Sequence, residues 1–98
     1  MVELAVSAEQ LTELCQRHRV RELSVFGSVA RGHARPDSDV DVLVEFEPTA
    51  RIGFIALSQL THDLERLLGR PVDVVTKRGL NPRIRDHVLA EAEVVFAA

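Results

Sequence analysis

The sequence predicts one layered α/β (α+β) domain spanning residues 1–98, and three observations carry that expectation. At 98 residues the chain has room for one hydrophobic core. Its 46% hydrophobic and 28% charged residues strike the balance of a globular protein, away from disordered or membrane compositions. Apolar spacing switches repeatedly between a helical period of about 3.6 and a strand period of about 2, with no internal repeat or low-complexity segment.

Taken in order, Ser7, Ala8, Glu9 and Gln10 have the form of a capping box, and Leu11, Leu14 and Cys15 fall on one stripe of a helix ending near His18. Residues 21–26 read as a short strand, with Leu23 and Val25 on one face, Ser24 and Phe26 on the other, and Gly27 as its stop. Residues 28–31 are helix-compatible and run into turn chemistry at 32–37. In residues 39–46, Val40, Val42, Val44 and Phe46 point one way while Asp39, Asp41, Leu43 and Glu45 point the other. Two acids therefore share one strand face.

A loop at 47–50 leads to the longest predicted helix, 52–68, where Ala56, Leu57, Leu60, Leu64, Leu67 and Leu68 recur at helical spacing and Gly69 serves as C-cap. Residues 71–76 form a third strand, with Val72 and Val74 on one side and Asp73 and Val75 on the other. Asn81 caps a last helix beginning at Pro82, whose stripe is Ile84, Val88, Leu89 and Ala92. Residues 94–97 read as a short terminal strand.

Several function classes recede on composition. The apolar runs fall far short of the roughly 20 residues that span a bilayer, and the first ten residues carry acids in place of a basic targeting region, so a cytoplasmic location and no membrane partner are expected. A net charge of −3, no Trp or Tyr and only four Phe supply neither the cationic surface nor the stacking rings of a general nucleic-acid binder. Cys15 has no partner for an internal disulfide and reads as a small buried hydrophobe. His18, His33, His62 and His87 lack ligand spacing, so zinc is not implied. Lys77, Arg78, Arg83 and Arg85 make the most basic stretch; such a run is most often a solvated face, and its other readings are an acidic partner, the nucleotide or RNA. A domain this small often associates to hide leftover apolar surface, so a homo- or hetero-oligomer is a further expectation.

The chemistry concentrates between Gly27 and Asp41. On a strand, Asp39 and Asp41 stand about 6.6 Å apart along one face and can converge on a shared ion. Neighbouring carboxylates repel unless a cation neutralises them, and an all-oxygen donor set suits Mg²⁺ or Mn²⁺. Two such ions, about 3.5 to 4 Å apart, serve in-line nucleotidyl transfer. Asp73, alone in an apolar strand where a buried charge is costly, is the candidate third carboxylate. Gly27 leaves room for phosphate beside the backbone, and Ser28 offers a hydroxyl and an N–H at a helix start, where the dipole favours anions. Arg31 is a further candidate for phosphate contact. Singly these features are ordinary: Asp-x-Asp is common on solvent-facing strands, and Asp73 suits a sheet edge. The ordered combination is what points to a site.

Gly27-Ser28, ten intervening residues, then Asp39-Val40-Asp41 resembles the signature of the minimal nucleotidyltransferases of the DNA polymerase beta superfamily. Ala30-Arg31-Gly32 and Ser38-Asp39 also look like that family, and Gly69-Arg70-Pro71-Val72-Asp73-Val74-Val75 resembles the segment bearing its third acid. The likeness covers residues 23–98. It implies a nucleotidyltransferase fold with a mixed three-stranded sheet and flanking helices, transfer of AMP from ATP with Mg²⁺, metal binding by Asp39, Asp41 and Asp73, and phosphate binding by Gly27 and Ser28. Small members are similar to the antitoxin half of two-gene modules, whose partner is a helical HEPN-domain toxin adenylylated on tyrosine. The sequence contains no tyrosine, so a tyrosine acceptor has to lie on another molecule. Larger relatives, such as aminoglycoside nucleotidyltransferases and poly(A) polymerases, carry an additional acceptor-binding domain for which 98 residues leave no room; modification of a small antibiotic therefore ranks last. The leading expectation is an adenylyltransferase antitoxin. The alternative is a binding module that neutralises the toxin by covering it, with a silent nucleotide site.

Overall fold

A computed structural model describes residues 6–27 and 39–98. The described residues form helix α1 (Ala8–Arg17), strands β1 (Val20–Phe26) and β2 (Val40–Phe46), helix α2 (Phe54–Leu68), strand β3 (Val72–Thr76), helix α3 (Pro82–Glu91) and strand β4 (Glu93–Ala97). Local chemistry sets the element ends. Ser7 and Gln10 form the reciprocal capping box expected at α1. Gly69, at φ 67°, closes α2 in the left-handed conformation that costs other residues about 1 kcal/mol. Asn81 accepts from the Arg83 N–H and Pro82 occupies the first turn of α3. The helix-compatible stretch at 28–31 and the turn at 32–37 lie outside the described residues.

The sheet has the order β3-β2-β1-β4, with β1 antiparallel to both β2 and β4, and β2 parallel to β3. It is mixed, as expected, but has four strands where the family resemblance implied three: β4 pairs with the outer edge of β1, matching Leu23 with Phe96 and Ser24 with Val94. The β2–β3 pair needs a crossover because parallel strands cannot be joined by a tight turn, and α2 provides it.

Strand alternation divides the sheet into two unlike faces. Val40, Val42 and Val44 of β2, Leu23 and Val25 of β1 and Val72 of β3 meet Leu11, Leu14 and Cys15 of α1 and Leu60 and Leu64 of α2 in the main core. Complete burial of a leucine such as Leu60 or Leu64 contributes about 1.5–3 kcal/mol. Cys15 is wholly enclosed, and burial pushes its thiol pKa up to about 12, so it behaves as an inert hydrophobe. The other face carries a much smaller cluster, Leu43, Leu80 and Val88, flanked by Phe26, Val75 and Ala92. Here α3 departs from expectation. Of its predicted stripe only Val88 is buried, while Ile84 is 49% and Leu89 37% exposed, because a helix lying over the short row of Leu43 and Val75 finds too little surface to cover its flanks.

Candidate active site

The acids emerge on the sparsely covered face, and backbone pairing puts them there. Asp41 and Asp73 are direct register partners across the parallel β2–β3 pair. Adjacent strands lie about 4.8 Å apart, and register partners project to the same side. The ladder is held beyond both ends of β3: Val40 N–H donates to Pro71 O at 2.9 Å, and Lys77 N–H to Val44 O at 2.9 Å. A further tie comes from α2, where the Glu65 carboxylate accepts the Val72 N–H at 3.1 Å. Sequence reasoning missed Glu65. A usable signal was present, since an acid in the last turn of a helix opposes the helix dipole and so calls for a local donor.

Asp39 immediately precedes β2 and is exposed. Strand periodicity places it on the face of Asp41, about 6.6 Å away along the chain. Asp41 is half-buried and Asp73 exposed. That exposure corrects the reason for singling out Asp73: β3 is an edge strand, and water solvates this carboxylate without help from a cation. Its register with Asp41 is what marks it. The backbone brings the three positions together without closing their side chains on one point, and among the described residues no three carboxylate, imidazole or thiol groups are gathered tightly enough to hold a metal ion. Like charges about 5 Å apart repel by about 1 kcal/mol in water and by more as water is excluded. The donor set nevertheless suits a hard divalent cation: carboxylate oxygens on adjacent strand positions, with no thiolate or imidazole among them.

Gly27 ends β1 beside this pair. Phe26 is the antiparallel partner of Asp41, and Gly27 turns the chain away at φ 71°. A Cβ there would collide with Oδ2 of Asp41 and lie 3.2 Å from its Cγ. Glycine is thus required twice, for its backbone conformation and for the space that the Asp41 carboxylate occupies. Ser28 and Arg31, the other candidate phosphate ligands, lie outside the described residues.

A cavity of about 700 Å³ opens elsewhere, between α1 and α2, lined in part by Arg17, His18, Phe54, His62 and Asp63. It holds none of the candidate residues. Within it His18 Nε2 lies 2.7 Å from Asp63 Oδ2; this hydrogen bond, with lesser help from the nearby charges of His18 and Arg17, holds the Asp63 carboxyl below its ordinary pKa. The contact joins two helices and reads as structural.

Residues 7–95 match the family model described as a nucleotidyltransferase domain. The chain belongs to that family. Among similar proteins, the protein adenylyltransferase MntA of Thermococcus cleftensis is 46% identical over 83 residues, covering 85% of this chain and 82% of the relative. A solved structure of a candidate minimal nucleotidyltransferase superposes with a TM-score of 0.73 at 49% identity, covering 88% of this chain and 86% of the other. The fold also recurs, at a TM-score of 0.62 and 19% identity, in a complex of tri-AMPylated Shewanella oneidensis HEPN toxin with MNT antitoxin, covering 93% of this chain and 70% of the other. In this nucleotidyltransferase domain Gly27, Asp39 and Asp41 occupy the strand-end and strand-start positions read from the motif, and Asp73 stands beside them. Among the described residues of the domain, no helix is long and apolar enough to cross a membrane.

Proposed function

We propose that this nucleotidyltransferase is a cytoplasmic antitoxin that transfers AMP from ATP to a tyrosine hydroxyl of a HEPN-domain toxin. The observation carrying the reading is the in-register pairing of Asp41 with Asp73 beside Gly27, in a chain 46% identical to a named protein adenylyltransferase. Asp39, Asp41 and Asp73 would hold two Mg²⁺ ions, or Mn²⁺ in their place. When bound, these supply the positive charge needed beside the attacking oxygen and the leaving pyrophosphate of an in-line displacement.

The chain's own residues do the rest. Asp73, on the open sheet edge, lies where an incoming hydroxyl can reach it and helps to draw off its proton. Gly27 lets a phosphate approach the backbone at the end of β1. Ser28 donates to the triphosphate, and Arg31 adds a guanidinium to the same anion. The acceptor hydroxyl comes from another molecule, since the sequence has no tyrosine.

The test is mass spectrometry of the HEPN protein after incubation with this chain, ATP and Mg²⁺. One or more AMP increments on a tyrosine are expected. Asp41→Asn should lower that labelling by at least about 100-fold while leaving the complex intact. A toxin that is neutralised equally well by Asp41→Asn, without labelling, would overturn the catalytic reading in favour of neutralisation by binding.

A further inference from the structure

The α3 helix is attached to the domain by little. Val88 is its one buried residue among the ten of the helix, and it rests on Leu43 and Leu80, with Phe26 and Val75 alongside. Leu43 and Val75 are the next same-face residues after Asp41 and Asp73, about 7 Å further along the strands. The helix therefore stands immediately beside the acids, on their face of the sheet.

At about 100° per residue, Ile84 and Leu89 lie roughly 40° and 100° to either side of Val88, with Arg85 on the Leu89 flank. Both flanks are bare, since Ile84 is 49% and Leu89 37% exposed. Cations cluster at the N-terminal end, beside Ile84, while Asp86, Glu91 and Glu93 lie toward the C-terminal end. Lys77 is engaged by Glu45 at 3.8 Å, whereas the guanidinium groups of Arg78, Arg83 and Arg85 enter no ion pair among the described residues. The first turn of α3 contains no acid. Its arginines therefore add to the positive end of the helix dipole where acids would cancel it, a local cost that concentrates positive potential at the Lys77 end of the sheet, while the helix runs back toward Glu93 and the acid-bearing end.

We propose that this face of α3, with Ile84 and Leu89 as apolar contacts and Arg78, Arg83 and Arg85 as a cationic surround, is the docking surface for the acceptor protein, which presents an acidic patch with an apolar centre. The inference rests on the transfer reaction proposed above and adds where the acceptor sits. Charge complementarity at the N-terminal end selects the partner's sign, and because α3 runs from that end back toward Asp41 and Asp73, a protein seated along the helix extends to the acid-bearing end of the sheet. Rim charges of this kind act chiefly on association and its salt dependence.

The test compares wild type with Arg83→Glu/Arg85→Glu and, separately, with Ile84→Ser, using the HEPN protein as probe. Two quantities are read: steady-state AMP transfer, and calorimetric affinity in the absence of nucleotide. Charge reversal is expected to raise the KM for the HEPN protein about tenfold or more and to weaken its affinity in parallel, to flatten the salt dependence of both, and to leave the KM for ATP unchanged. Ile84→Ser should weaken affinity without altering salt dependence. A KM and affinity within twofold of wild type in both variants would overturn the proposal. So would an effect confined to the KM for ATP, which would make these arginines nucleotide ligands. If wild type transfers no AMP at all, the reaction proposed above falls, and the affinity measurements still decide the surface.

Discussion

The two faces of one sheet have been put to different uses. On the side of α1 and α2, valines of β2 and leucines of both helices close into a core in which Leu60, Leu64 and Val44 are 0% exposed. On the side of α3, a cluster of Leu43, Leu80 and Val88 is all that packs, and the adjoining strand positions carry Asp41 and Asp73. Side chains of β2 alternate between the two, so Val40, Val42 and Val44 enter the main core while Asp41 and Leu43 face α3, one as a candidate site residue and the other in the small cluster. Charged carboxylates are costly to enclose in dense packing, which suits their position on the sparsely covered face.

That division is open to measurement. Leu60→Ala should cost about 2–5 kcal/mol of stability in denaturant unfolding, while any transfer activity per folded molecule stays within a few-fold of wild type. Gly27→Ala is the converse case. It forces a Cβ against the Asp41 carboxylate and an L-residue into the left-handed region, so AMP transfer should fall at least tenfold for a stability loss of about 1–2 kcal/mol. Val88→Ala should cost no more than about 1.5 kcal/mol, the transfer value of two buried carbons, because its surroundings are already half open; a loss equal to that of Leu60→Ala would erase the contrast between the faces.

The smallest effect expected is at Asp63. Asp63→Asn should lose less than about 1 kcal/mol at neutral pH, as the contact to His18 and Arg17 is partly solvated. The folded-state pKa of Asp63 is depressed, so the contribution of the pair is present above the ordinary carboxylate range near 4 and disappears as pH falls through the lowered folded value. Wild type and Asp63→Asn should therefore converge in stability as the pH falls below the lowered folded value, which thermal unfolding followed from neutral to acid pH will show.

What could be read from sequence was what depends on neighbours in the chain. The capping box at Ser7 and Gln10, the alternation of residues 39–46 and the Gly69 C-cap all state their structure within a few residues, and each is found in place. The motif of Gly27, Asp39 and Asp41 was legible for the same reason. Pairing was not, because it depends on how a crossover returns the chain. The partnership of Asp41 with Asp73, and the addition of β4 outside β1, appear only once the strands are ordered. Periodicity also named the side of α3 that faces inward, through Val88, but could not tell how much surface lay beneath it. Ile84 and Leu89 were therefore assigned to a core too narrow to hold them. Asp73 was chosen for a burial it does not have; what the fold adds is its register with Asp41.

The parallel register between β2 and β3 ties the pairing of Asp41 with Asp73 to the closure of the core. Side chains alternate with period two, so a slip of one residue in the turn after Gly69 would swing Asp73 into the hydrocarbon interior and bring a valine opposite Asp41. No misaligned form could keep the acids together and the interior dry at once. Under the proposed reaction, such a slip would cost transfer and a dry interior together.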